Sequence, residues 1–258
     1  MKHHFLDEES TIESPIRSLN PKTKLITIIT VVLLVVSTPA DAFAVFALFL
    51  SLALALIVIS RVPFTVFLRR ALIALPFVAA ALAAVPFVSE APGTTSYSLG
   101  IGGAAISMTG FLLVFNVLCK SILSILFLTL LISSTPFRDL VSGLRELRVP
   151  TFITDTLSFM YQYLFIIMDE IQRVAFARDA RLYGNRWIWQ APVIGHMIGS
   201  IFVRSFERGE RIFLAMKARG YDSSVGGKPT APFAASDYIF TIIVISGALA
   251  ARLFGMRL

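Results

Sequence analysis

Long runs of apolar residues, broken by short polar stretches, constrain this chain more than any other feature. The clearest extends from Ala42 to Ile59 without a charged side chain, close to the ~20 residues a helix needs to cross a bilayer's hydrocarbon core. Comparable runs cover Leu25 to Val36, Ala71 to Val88, Met108 to Ile132 and Ala234 to Leu253. Apolar residues make up 56% of the chain and the mean hydropathy is +0.79, above the roughly 45–50% apolar content of soluble domains. The expected fold is therefore an all-α integral membrane protein of five transmembrane helices, with long amphipathic helices beside them.

The basic residues set the orientation. A formal charge of +7 raises the question of nucleic acid, yet the lysines and arginines flank apolar segments and are not interleaved with stacking aromatics, so membrane topology is the better account. The first residues, MKHHFLDEES, contain no apolar run, and a cleaved signal peptide is not expected. Residues 1–20 are read as a cytosolic arm. Thr38-Pro39-Ala40-Asp41 is an outside turn, and Arg61, Arg69 and Arg70 mark the return to the cytosol. The third run holds Pro76 and Pro86, tolerable as kinks. Ser89 to Ser107, rich in Gly, Ser and Thr, is an outside loop, with a short hairpin expected around Thr94 to Ser98 and Gly102-Gly103.

The fourth run carries Asn116 and Lys120, four residues apart and so on one helix face. A lysine at mid-membrane costs about 2.5–3.5 kcal/mol on insertion scales. Such a pair marks either a substrate pathway or a buried polar clamp, and with a single such lysine the clamp is preferred.

After Ser133-Ser134-Thr135-Pro136 the pattern changes. Residues 137–150 hold arginines among leucines, as in an amphipathic segment at the membrane surface. Thr151 to Ile171 is apolar enough to span, but a crossing would place the arginine-rich stretch from Arg173 to Lys228 outside. It is read instead as a partly embedded helix that continues into the cytosol, through Arg173 and Arg178 to Ala180-Arg181. Trp187 and Trp189 suit the membrane interface. A second helix, from Gly195 to Gly220, carries Ile212, Phe213 and Met216 on one flank and Arg204, Glu207, Arg208, Glu210 and Arg211 on the other. It ends in Ala218-Arg219-Gly220, where a left-handed glycine would close the helix and leave Arg219 projecting. Ser223 to Pro232 is a Gly/Pro linker, and the last run leaves the C-terminus outside.

Several chemistries are disfavoured. Gly226-Gly227-Lys228 is followed by Pro229, not by the Ser or Thr of a phosphate-binding loop. His3, His4 and His196 make no ligand set, and Cys119, the single cysteine, neither pairs nor builds a thiolate site. Asp169-Glu170 and Glu207/Glu210 have basic residues at helical spacing, so surface ion pairs explain them better than acid–base catalysis. No metal site is expected. A lipid-metabolism enzyme would need aspartates around the Ala-Arg pair, and only Asp169 and Asp179 lie near. What remains is two amphipathic helices, each ending in an exposed arginine, whose planar fork suits carboxylates in partner grooves. Diffuse anchoring to anionic lipid is the plainer alternative.

At Leu19-Asn20-Pro21-Lys22-Thr23-Lys24-Leu25, Thr135-Pro136, Leu144-Arg145-Glu146-Leu147-Arg148-Val149-Pro150, Glu207-Arg208-Gly209-Glu210-Arg211 and Ala215-Met216-Lys217-Ala218-Arg219-Gly220-Tyr221, the chain resembles the transmembrane T component of energy-coupling factor transporters, particularly the cobalt and nickel type. The resemblance implies two Ala-Arg-Gly signatures, each docking into one of two cytosolic ABC-type ATPase subunits. Ala218-Arg219-Gly220 is intact, whereas the first reads Ala180-Arg181-Leu182, with glycine only at Gly184; Arg178, Glu207, Arg208 and Arg211 would support these ends. It also implies a separate membrane subunit that captures substrate, and ATP and magnesium held by the ATPases, with no cofactor and no catalysis in this chain. Lys120 stands where many relatives carry arginine. The expected organisation is a transmembrane bundle over 1–136, a cytosolic or interfacial coupling-helix region over 137–232, and a last transmembrane helix over 233–258 in a multi-pass protein of the prokaryotic inner membrane. A shared T component for vitamin uptake is the alternative within transport.

Overall fold

The computed structural model describes residue 16 and residues 19–39, 43–82, 96–98, 105–181, 187–221 and 234–255. The expectations for His3, His4, Pro86, Gly102-Gly103, Gly184 and the 223–232 linker lie outside the described residues. In chain order the elements are α1 (Pro21–Val36), α2 (Phe43–Ser60), α3 (Phe64–Leu82), β1 (Ser96–Ser98), β2 (Ala105–Ser107), α4 (Met108–Ser134), α5 (Phe137–Glu146), α6 (Thr151–Ala180), α7 (Trp187–Ala218) and α8 (Ala235–Gly255). The strands pair antiparallel, Tyr97 opposite Ile106; among the described residues everything else regular is helical. Two boundaries differ from expectation. Arg69 and Arg70 lie inside α3, which starts just after Pro63, where a fixed φ and missing N–H suit a helix entry. The helix expected from Gly195 starts about two turns earlier, at Trp187.

The chain forms two compact units, one over Leu144–Pro229 and one over Lys2–Gly143 with Thr230–Leu258. In the second, α4 packs against α1, α2 and α3, and α8 against α1 and α2. Val31, Val35, Phe49, Phe67, Phe127, Leu130, Val244 and Ala248 fill the space between them. The outward faces are equally apolar: Val58 is 76% and Phe77 77% exposed. Large aliphatic and aromatic side chains turned outward all round a bundle suit lipid, where helices associate by packing and polar contacts and not by escape from water. Two described helices are long and apolar enough to cross a membrane, over Leu112–Ser134 and Ala235–Leu253, and Ala44–Ser60 is a shorter apolar stretch.

Polar contacts tie this unit together at one end. Asn20 caps α1, its side chain accepting from the Lys22 amide at 3.0 Å, with Pro21 in the first turn. The Asn20 backbone N–H donates to Asp237 Oδ1 at 2.8 Å, and Asp237 Oδ2 accepts from the Ala234 backbone N–H at 2.9 Å, so one buried carboxylate joins the starts of α1 and α8. Farther along, Thr27 and Thr241 hydroxyls lie 3.3 Å apart, and at the far ends Arg252 donates to Ser37 at 3.1 Å. α1 and α8 therefore run parallel. Lys24, 1% exposed, reaches the end of α4, where its ammonium lies 3.5 Å from the Ser134 carbonyl and 3.3 Å from Thr135 Oγ1. A cation there meets the negative end of a helix. α5 seats against the same end through Gly143, whose missing Cβ would lie 3.2 Å from the Lys22 nitrogen and the Pro21 carbonyl carbon.

Candidate functional site

In the other unit α6 and α7 pair antiparallel. Tyr221, just past α7, meets Asp155 and Phe159 in the first turns of α6, while Glu170, deeper in α6, accepts from Arg204 of α7 at 3.0 Å and from Arg173 at 2.7 Å. The hydrogen bond from Arg204, more than the charge of either arginine, holds the Glu170 carboxyl below its ordinary value of 4.5, against desolvation that would raise it. Glu207 and Glu210 make no ion pair among the described residues. This corrects the expectation for them: an exposed helical pair is worth only about 0.5 kcal/mol, too little to hold two long side chains in register.

The end of α7 is a full Schellman cap. The Tyr221 amide donates to the Met216 carbonyl at 3.0 Å and the Gly220 amide to the Lys217 carbonyl at 3.0 Å, with Gly220 at φ +71°. Arg219 occupies the cap position itself and is exposed. The cap is held from outside as well. The Tyr221 hydroxyl donates to Asp155 Oδ2 at 3.3 Å, Asp155 Oδ1 accepts from Arg145 at 3.1 Å, and the Phe159 ring meets Tyr221 edge-on at 6.0 Å. Desolvation, then the Asp155 charge and hydrogen bond, push the Tyr221 phenol above its ordinary value, so it stays a donor. α5 ends the same way: Val149 donates to Leu144 and Arg148 to Arg145, but the left-handed position, φ +64°, is filled by Arg148 instead of glycine.

At the opposite end, α6 stops at Ala180 and Arg181 caps it, its amide donating to the Arg178 carbonyl at 3.0 Å. Arg178 is committed to Asp179 at 2.7 Å, whereas the exposed Arg181 has no ion pair among the described residues. From Phe159, level with Tyr221, to Arg181 is roughly 22 residues, or about 33 Å along α6. The two Ala-Arg ends thus point away from each other. Glu207 and Arg211 are exposed on α7 between them, and Arg208 lines a cavity with Phe159, Tyr163 and Met216.

Asn116 is buried in α4 and Lys120 half-buried one turn on; Lys120 makes no hydrogen bond or ion pair among the described residues. The fully buried lysine is Lys24, whose role was not evident from its place in a motif. Asp155, Asp237 and the Tyr221 hydroxyl were likewise missed. The available signal was an acid within the otherwise apolar stretches TFITDTL and ASDYIF, which in a helix core demands a partner.

A family model described as cobalt transport protein, CbiQ, matches residues 13–229. The chain belongs to the CbiQ family. It is accordingly a membrane protein of a transport family. An uncharacterized protein of Methanocaldococcus jannaschii is 29% identical over 44% of this chain and 41% of its own length. A fused cobalt transport protein, CbiMQ, of Methanocorpusculum labreanum is 27% identical over 97% of this chain and 42% of its own. The energy-coupling factor transporter transmembrane protein EcfT of Listeria innocua is 25% identical over 93% of this chain and 92% of its own. The chain thus spans about two-fifths of the first and second of these relatives and nearly all of the third. The family match takes in α1 to α7 and both Ala-Arg ends.

Proposed function

We propose that this CbiQ-family chain is the transmembrane scaffold and coupling subunit of an ATP-driven importer of the energy-coupling factor type, taking up cobalt or nickel ions. The observation that carries the proposal is the pair of exposed arginines, Arg181 and Arg219, at opposite ends of one antiparallel helix pair. One cytosolic ABC-type ATPase subunit would receive each end. Movement of the ATPases about bound ATP and magnesium would tilt α6 and α7, and the transmembrane bundle would pass that motion to a separate substrate-binding membrane subunit. Ala180 and Ala218 keep the helix surface low beside each arginine, Gly220 holds the second cap, and Arg178, Glu207, Arg208 and Arg211 flank the contacts. The chain itself carries out no catalysis in this reading.

Five spans, α1 to α4 and α8, fit this role, with the N-terminus and the α6–α7 pair cytosolic in the prokaryotic inner membrane. Parallel α1 and α8 support it: two helices crossing in the same direction require an odd number of crossings between them, and α2, α3 and α4 supply three. The corresponding organisation is a bundle over 1–136, a coupling region over 137–232 and a last span over 233–258. The substrate follows the family description, and the fused name CbiMQ supports a membrane partner. Near-complete coverage of EcfT favours a second reading, a T component shared among several substrate-binding subunits.

The test is Arg219→Glu in the assembled transporter. Uptake is expected to fall to background and ATPase association to weaken while membrane insertion is unchanged. Wild-type uptake by this variant would refute the coupling role.

A further inference from the structure

Between α6 and the first half of α7 lies a cavity of about 400 Å³ with a strongly unbalanced charge. Arg173, Arg178, Arg181 and Arg204 line it against a single lining carboxylate, Glu170. Four positive charges less one leave three, and Asp179, paired with Arg178 beside the cavity, reduces the excess to two. Glu170 is already shared, one oxygen on Arg173 and the other on Arg204, so neither guanidinium has a carboxylate to itself there. The rest of the lining is apolar, Val174 and Met197 among it. A cavity lined by both arginines and apolar side chains suits an amphiphile better than a fully hydrated ion. The α7 lining begins at Val193, about one turn after the sequence Trp187-Ile188-Trp189, a composition at home where membrane meets water.

We infer that this cavity binds the phosphate monoester headgroup of an anionic phospholipid, as in phosphatidic acid. A phosphate monoester carries about −1.5 to −2 charges near neutral pH, which matches the excess of two, and its oxygens suit the planar forks of Arg173 and Arg204. The site goes beyond the coupling role and does not depend on it. It shares Arg181 with the first helix end, so the test uses Arg173 and Arg204, which have no part in that role.

Full-length protein is analysed by native mass spectrometry from micelles doped with phosphatidic acid or phosphatidylcholine. Wild type is expected to retain the acid in preference. Arg173→Gln and Arg204→Gln should each lower retention about three- to five-fold, the range of a partly exposed charge pair. Glu170→Gln should raise it, because both guanidinium groups are released; a merely disrupted helix pair would lower it instead. Arg138→Gln, an exposed arginine of α5 remote in sequence from the cavity, should change nothing. The inference is overturned if Arg138→Gln matters as much as Arg173→Gln, which means diffuse charge, or if Glu170→Gln weakens retention. It is also overturned if millimolar inorganic phosphate displaces the lipid completely, which assigns the cavity to a soluble anion.

Discussion

Substituting Gly220 by alanine isolates the cap on which Arg219 stands. A Cβ built there meets nothing within 4 Å, so no steric clash contributes and the cost is conformational. Holding an L-residue at φ +71° costs about 1–2 kcal/mol, and a stiffer unfolded chain returns about 0.4–1 kcal/mol. The net is about 1 kcal/mol, or roughly five-fold in the local opening equilibrium. The two cap hydrogen bonds, from Gly220 to Lys217 and from Tyr221 to Met216, are the bonds that open. Arg148→Gly provides the reciprocal experiment, since the same motif at the end of α5 puts arginine in the left-handed position, and glycine there relieves strain of the same size. Hydrogen exchange followed by mass spectrometry, on peptides covering each cap in nanodiscs, reads both. Exchange at the α7 cap should quicken about five-fold in Gly220→Ala and less in Gly220→Asn, because asparagine tolerates this conformation; exchange at the α5 cap should slow in Arg148→Gly. Identical exchange in wild type and Gly220→Ala, or faster exchange in Arg148→Gly, would refute the strain argument.

Lys24→Met removes the buried ammonium while keeping the side chain's bulk. It is expected to destabilise the protein by about 1–3 kcal/mol, because the buried Ser134 carbonyl loses a donor; a raised unfolding midpoint would show that desolvation of the charge outweighs its contacts. Acid should release Arg204 and Arg173 from Glu170 in a defined window, leaving the helix pair in place. The Glu170 value is depressed in the folded protein, so its hold on the two arginines is fully present above 4.5 and is lost as the pH falls through the lower folded value. Nitrogen chemical shifts of the Arg204 guanidinium should stay constant from neutrality down to about pH 5 and move below 4.5. Movement already between about pH 7 and 5 would mean that Glu170 does not hold Arg204.

Much of the helix plan was legible because lipid and helix impose simple periods. The α2 run, the α4 run and the amphipathic α5 each announce themselves by composition over ten or more residues. Gly220 could be placed at a helix end because glycine alone adopts a left-handed conformation without cost. Arg148 could not, since nothing in LRELRVP marks an arginine as the residue that turns left-handed; that emerges only from the cap hydrogen bonds of Arg148 and Val149 at the end of α5. The boundary of α3 was misplaced for a related reason: charge read as a loop marker outweighed Pro63, the stronger local signal.

From sequence alone came the helical class, the membrane setting, the arginine-tipped ends and the family resemblance, all of which rest on properties of one residue and its near neighbours. Tertiary structure alone decided which polar groups meet. It paired Asp237 with Asn20 across more than 200 positions of chain, made α1 and α8 parallel, gave the buried place to Lys24 while Lys120 stayed half-exposed, and set Arg181 and Arg219 at opposite ends of one helix pair. A polar group's partner depends on which distant segment arrives beside it, and hydrophobic periodicity records only that a face is covered, not by whom.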